Sequence, residues 1–340
     1  MGAYYELIMS PNEGMFSHCF NLCWNEKLDS ITRPYSDAIQ LRIGNQLRPK
    51  LTCWGAALNT DRPEELDLRN IAQIASCVEM LHKASVIIDD LIDNDDARHG
   101  QKAFHIEFGH DNTVIFALTL LGRGMAGLND VFMGSKGHCK SVALYSETIY
   151  RMAEGCLQEL ALDHTSRYDL HRIRNIIELE TITLIKNSFL LGYWSNCDGN
   201  EEIEKLIAKI GENCGYIFQI LNDLEPYSSS NRNAAYKGGL NIDINRDRKN
   251  IVVAYIYGAA SAKEKRLLSA LPSTQLSDTV IELYEKYSVF DVVCDEARWL
   301  EAQTYELTEA IRRAGKHTSC IDDFKAFIHD MVEICFSRLR

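Results

Sequence analysis

The stretch VEMLHKASVIIDDLIDNDDARHG, residues 78–100, decides how this chain is read. Ile71, Ile74, Ala75, Val78, Leu81 and Ser85 recur at steps of three and four, which is the period of a helix with one apolar face. Asp67 stands just ahead of that run as a candidate N-cap. On such a helix Asp89 and Asp93 share a face, and Asp90 lies on the adjacent edge. Carboxylates this close repel one another, and they follow Val86, Ile87 and Ile88, which are apolar. A divalent cation removes the conflict. Magnesium takes hard oxygen ligands, binds through one or two carboxylates and completes its shell with water and substrate phosphates. That chemistry recruits a diphosphate and stabilises it as a leaving group. Two other readings fit the spacing. One is a solvated acidic helix end, with Asp95 and Asp96 as further surface charge. The other is a carboxylate pair for glycoside hydrolysis, but such pairs usually come from different elements.

Further out, the six prolines leave residues 64–225 without one, a gap that suits long helices. Helical spacing returns near 143–163, 171–195, 202–224 and 296–315, and no run alternates as a strand would. Residues 227–250, rich in Ser, Asn and Gly, read as a loop. No linker or repeat stands out. The expectation is an all-α fold, with residues 1–340 forming a single bundle of about ten or more helices around a central cavity.

Composition narrows the function. A hydrophobic content of 46% supports a large core, and a net charge of −12 argues against a nucleic-acid partner. It does not exclude an anionic substrate, because divalent cations reverse the local sign. No unbroken apolar run reaches transmembrane length, so no membrane-spanning segment is expected. The N-terminus lacks the pattern of a secretory signal. The eleven cysteines are scattered, and His18, Cys19 and Cys23 make only a weak metal pattern. Free thiols in a reducing cytoplasm are the expectation.

At this point the motifs become specific. VEMLHKASVIIDDLIDNDDARHGQKAFHIEFG resembles the first aspartate-rich region of trans-isoprenyl diphosphate synthases, the polyprenyl synthetase superfamily. It is most similar to the pattern of geranylgeranyl diphosphate synthases. GNQLRP (44–49) resembles their GGKRLRP, Lys186 in LIKNS falls at a family lysine, and GYIFQILNDLEP (215–226) resembles GxxFQxxDDxxD. Lys237 and the RKN at 248–250 fit the lysines beyond it. The resemblance implies the isoprenoid synthase fold, in which two acidic motifs face each other across a central cavity around two to three magnesium ions. It implies that Asp89, Asp90 and Asp93, with Asn222 and Asp223, hold metal. Arg98, Lys186, Gln219 and Lys237 would serve the allylic diphosphate, and Lys186 would act in catalysis with the three aspartates. It also implies a homodimer.

The departures cluster on the second substrate. Where the family holds isopentenyl diphosphate with a lysine and two arginines, this chain has Asn45, Gln46 and His99, keeping Arg48 and His105. Each charge-assisted contact to phosphate contributes roughly 1.5–3 kcal/mol, so losing two weakens binding by about two to four orders of magnitude. In the second motif Asn222 and Pro226 replace aspartates, leaving Asp223, with Glu225 as a substitute ligand and Asn241 or Asp243 downstream. Ala84 and Ser85, just before the first aspartate, are small and imply a deep tail pocket with Leu81 as its floor. The expected activity is a magnesium-dependent prenyl transfer from a C15–C20 allylic diphosphate. The acceptor is isopentenyl diphosphate or a neutral nucleophile such as an indole or phenol. A terpene cyclase acting on a C15–C25 diphosphate and a non-catalytic synthase subunit are the alternatives.

Overall fold

A computed structural model describes residues 3–9, 15–26, 33, 35, 46–58, 60, 62–98, 101–163, 166–195, 199–227, 249–271, 277–314 and 318–339. The helices come in the order α1 (Ala3–Met9), α2 (Met15–Glu26), α3 (Leu47–Ala57), α4 (Leu68–Ile92), α5 (Phe104–Phe108), α6 (His110–Phe132) and α7 (His138–Leu160). They continue with α8 (Leu170–Ile177), α9 (Thr183–Trp194), α10 (Glu201–Leu224), α11 (Ile251–Ala259), α12 (Ala262–Ala270), α13 (Ser277–Lys286), α14 (Val289–Arg313) and α15 (Thr318–Leu339). Among the described residues the strands are β1 (Ala97–Arg98) and β2 (Gln101–Lys102), paired antiparallel. The all-α expectation holds.

The chain divides into two compact units. Unit 1 comprises Met1–Ile149, Leu184–Gly211 and Tyr305–Phe327. Its centre is α4, which packs against α2, α3 and α6. The N-cap expected at Asp67 forms: its carboxylate accepts the Asn70 N–H at 3.0 Å. The predicted stripe is interior, with Ile71, Ile74, Ala75, Val78 and Leu81 all buried. Each fully buried Ile or Leu contributes about 1.5–3 kcal/mol. Elsewhere in the unit Trp54 of α3 stacks on Phe327 at 5.7 Å and meets Phe324 edge-on at 5.4 Å.

Unit 2 comprises Tyr150–Thr183, Glu212–Thr304 and Ile328–Arg340. Arg174 of α8 bonds Tyr255 of α11 and Glu296 of α14, each at 2.6 Å, and ties three helices together. Tyr168 stacks on Tyr257 at 4.5 Å, and its hydroxyl donates to the Leu268 carbonyl. The helix expected over 171–195 is not uniform, because residues Glu178–Ile182 form a π-helical segment between α8 and α9.

Averaged over eighteen residues, α4 and α6 are apolar and long enough to cross a membrane, although neither is an unbroken apolar run. The apolar window of α4 is 72% buried inside the protein and that of α6 only 28%.

Candidate active site

The first acidic motif sits where α4 ends, and the ending is specific. Asn94 takes a left-handed conformation with φ of 52°, which asparagine tolerates. The Asp95 N–H then bonds the Asp90 carbonyl at 3.0 Å, and the Asn94 N–H bonds the Leu91 carbonyl at 3.3 Å. This is a Schellman closure. It fixes the last turn, where Asp89 and Asp90 sit, with Asp93 at the C-cap. It also turns Asp95 inward, where it is buried. The alternative of a solvated acidic helix end therefore fails at Asp95, while Asp96 is exposed.

The two-strand hairpin then brings Arg98 back over the helix end. Its Nε donates to Asp90 Oδ1 at 2.6 Å, and its Nη2 lies 3.3 Å from Asp89 Oδ2. Asp90's side chain is 3% exposed and Asp89's 41%, so one carboxylate is sealed and the other faces solvent. Burial opposes the charge on Arg98, but the Asp90 bond and the charges of Asp90, Asp89 and Asp95 outweigh it and raise its pKa above the usual arginine value. The guanidinium stands where a cation is called for, between two hard oxygen donors on one helical turn. Among the described residues no three acidic, His or Cys side chains form a closed metal cage. Magnesium does not need one, since phosphate and water complete its shell. The donor set fits it.

On α4 below the aspartates lies a second charged group. Glu79 Oε1 is 3.3 Å from His82 Nδ1 and 3.4 Å from Lys83 Nζ. Burial pushes Glu79 up, but His82, Lys83 and Arg48 together hold it down at about 2. Arg48, from α3, is lowered to about 10 by burial, with Glu79 opposing. His82 is lowered to about 4 by burial and by Arg48. The sequence reading named Arg48 and missed Glu79, His82 and Lys83. Their signal was three titratable residues on one apolar helix face. Gln46 caps α3 in a left-handed conformation, with φ of 50°. His105 of α5 is half-buried, and its Nδ1 is buried without a hydrogen-bond partner. Asn45 and His99 lie outside the described residues.

The residues read as the tail pocket line up on α4. Leu81 and Ala84 are buried, and the half-buried Ser85 donates its hydroxyl back to the His82 carbonyl at 2.8 Å. One turn below Leu81, the Tyr145 hydroxyl donates to the Cys77 carbonyl at 3.2 Å. Nothing in the spacing announced Tyr145.

Lys186 is half-buried on α9 in unit 1. A Cβ on Gly211 would come within 2.7 Å of the Lys186 Cα, so only glycine lets α10 pass here. In unit 2, Gln219 and Asp223 of α10 are buried while Asn222 between them is exposed. Gln219 Nε2 donates to Asp223 Oδ1 at 2.7 Å. Glu225 is half-buried, in a short 3-10 turn. Lys249 pairs with Glu159 and Glu180. Lys237, Asn241, Asp243 and Arg248 lie outside the described residues.

A family model described as polyprenyl synthetase matches residues 29–287. The short chain isoprenyl diphosphate synthase of Methanocaldococcus jannaschii is 24% identical over 241 residues, covering 70% of each chain. The geranylfarnesyl diphosphate synthase of Aeropyrum pernix is 26% identical over 224 residues, covering 65% of this chain and 69% of that one. Among solved structures, the geranylgeranyl pyrophosphate synthetase of Pyrococcus horikoshii superposes with a TM-score of 0.81 at 19% identity, over 98% of this chain and 99% of that one. The polyprenyl synthase of Caulobacter crescentus, solved with calcium and isoprenyl diphosphate, superposes at 0.77 and 18% identity over 100% of this chain and 99% of that one. The structures carry the fold and the family match carries the membership: this chain belongs to the polyprenyl synthetase family and is an isoprenyl-diphosphate-dependent prenyltransferase.

Proposed function

We propose that the protein is a magnesium-dependent prenyltransferase acting on a C15–C20 allylic diphosphate, gripped at the capped end of α4. The observation that carries this reading is Arg98 laid across Asp89 and Asp90. Asp89, Asp90 and Asp93 would hold two or three magnesium ions, whose bound charge stabilises the departing diphosphate. Arg98 would then turn N–H donors from a carboxylate to the diphosphate oxygens, which its planar group suits. Lys186, Gln219 and Lys237 serve the same diphosphate. Leu81, Ala84 and Ser85 line the tail and exclude water from the carbon that bears positive charge. Asn222 keeps the metal role that the family resemblance gives it. The whole chain acts as one isoprenoid-synthase domain in the cytoplasm.

The acceptor side departs from the ordinary elongating synthase. Arg48 is balanced by Glu79 inside the protein, and Asn45, Gln46 and His99 bring no fixed cation. We therefore place isopentenyl diphosphate as a weak second substrate and a neutral nucleophile as the competing acceptor, with His99 and His105 the remaining contacts. The test incubates the protein and magnesium with geranyl, farnesyl or geranylgeranyl diphosphate, with and without isopentenyl diphosphate, and weighs the products. Slow elongation that saturates only at high isopentenyl diphosphate fits this reading. Full-rate elongation with a micromolar KM refutes the altered acceptor site. Hydrocarbons formed without isopentenyl diphosphate would indicate a cyclase.

A homodimer fits the surface of α6. Ile115 and Leu118 are 63% and 60% exposed on a helix whose apolar window is mostly uncovered, and a second copy of the chain would cover them.

A further inference from the structure

Asp223 differs from the first-motif aspartates in how its oxygens are used. Oδ1 accepts the Gln219 amide at 2.7 Å, and Oδ2 accepts the Ile251 backbone N–H at 2.8 Å. Ile251 opens α11, where Asn250 is already the N-cap, accepting the Val253 N–H at 3.1 Å. Asp223 thus places an anion on the positive end of α11 and satisfies a second orphan N–H there. Gln219 is held from its other side. Its Oε1 accepts the Thr181 hydroxyl at 2.9 Å, and Thr181 belongs to the π segment. That segment lies close against α10, since a Cβ on Gly215 would be 3.1 Å from the Ile182 Cα. One residue before Asn250, the Lys249 N–H and ammonium bond Glu159 at 2.9 Å each. A continuous polar chain therefore runs from Thr181 through Gln219 and Asp223 to the start of α11. Both Gln219 and Asp223 are 8% exposed. Removing the Asp223 carboxylate would leave a buried helix N–H and a buried amide without acceptors.

We infer that Asp223 is a positioning residue: it clamps the amide of Gln219 to the first turn of α11. The inference rests on the proposed reading in one respect, that Gln219 serves the diphosphate.

The experiment compares Asp223→Asn, Asp223→Ala and Asp89→Asn. Magnesium binding is titrated calorimetrically with inorganic pyrophosphate as the probe, alongside Tm and the KM for farnesyl diphosphate. Asparagine at 223 still accepts the Ile251 N–H. Its amide then faces Gln219, whose own amide turns over and donates to the Thr181 hydroxyl. The expected result is that Asp223→Ala lowers Tm and raises KM, and that Asp223→Asn recovers both. Magnesium affinity in Asp223→Asn should stay within about threefold of the unmodified protein, whereas disturbing a metal site typically costs about tenfold or more. A tenfold loss in Asp223→Asn overturns the inference, as does an unchanged Tm and KM in Asp223→Ala. Asp89→Asn separates the two readings. If it leaves magnesium binding intact, the first-motif grip fails, while the rescue of Asp223→Ala by Asp223→Asn still decides the role of Asp223.

Discussion

Asp90 is almost sealed from solvent, and the guanidinium of Arg98 is what makes its charge tolerable there. Removing one partner of a buried pair leaves an uncompensated charge and destabilises by about 3–5 kcal/mol. Magnesium binds the same carboxylates, so it should return part of that loss. Arg98→Ala is therefore expected to melt several degrees lower than the unmodified protein in chelator, and to gain more from added magnesium than the unmodified protein does. Thermal denaturation with and without the ion checks it, and equal magnesium shifts would contradict it. At this scale the sequence was informative wherever helical spacing alone places a side chain. Asp89 and Asp90 fall on the last turn of α4, with Asp93 at its C-cap, as the spacing implies. The burial of Asp95 was not legible, because spacing does not reveal that a left-handed Asn94 folds the chain inward. That the Asp223 carboxylate meets the first turn of α11 was not legible, because no local pattern shows where that helix begins.

The α4 helix carries a pH dependence. His82 is held at about 4, well below a histidine's ordinary value, first by burial and then by Arg48. A base depressed in the folded state takes its proton in the unfolded chain first, so the unfolded state binds more protons as pH falls from about 6.5 to 4. Stability is fully present above that window and declines through it, by about 2–3 kcal/mol at its foot. Glu79, lowered to about 2, loses its contribution at still lower pH, from about 4.5 downward. Replacing His82 by glutamine should flatten the fall in Tm between pH 6.5 and 4, as melting curves across that range would show; an unaltered slope would place the titration elsewhere. Most helices were legible from period and from the absence of proline. The π segment was not, because Glu178–Ile182 contains neither glycine nor proline to mark a change of pitch. The β1–β2 hairpin was not either, since two-residue strands are too short to alternate.

For the whole molecule, a net charge of −12 does not bar an anionic substrate, because divalent cations reverse the local sign. That chemistry links the composition, the capped end of α4 and membership of a family whose members are named as diphosphate synthases. The family was readable because its motifs run in order along the chain. The acceptor was not, because several residues that would decide it differ from the family's pattern. The central claim is that magnesium and the aspartates of α4 together hold the allylic diphosphate. Its most direct test is calorimetric titration of an unreactive thio-linked farnesyl diphosphate analogue into the unmodified protein and Asp89→Asn, with magnesium and with chelator. Binding should require magnesium and weaken about tenfold or more in Asp89→Asn. Equal affinity in chelator, or an undiminished affinity in Asp89→Asn, would contradict it.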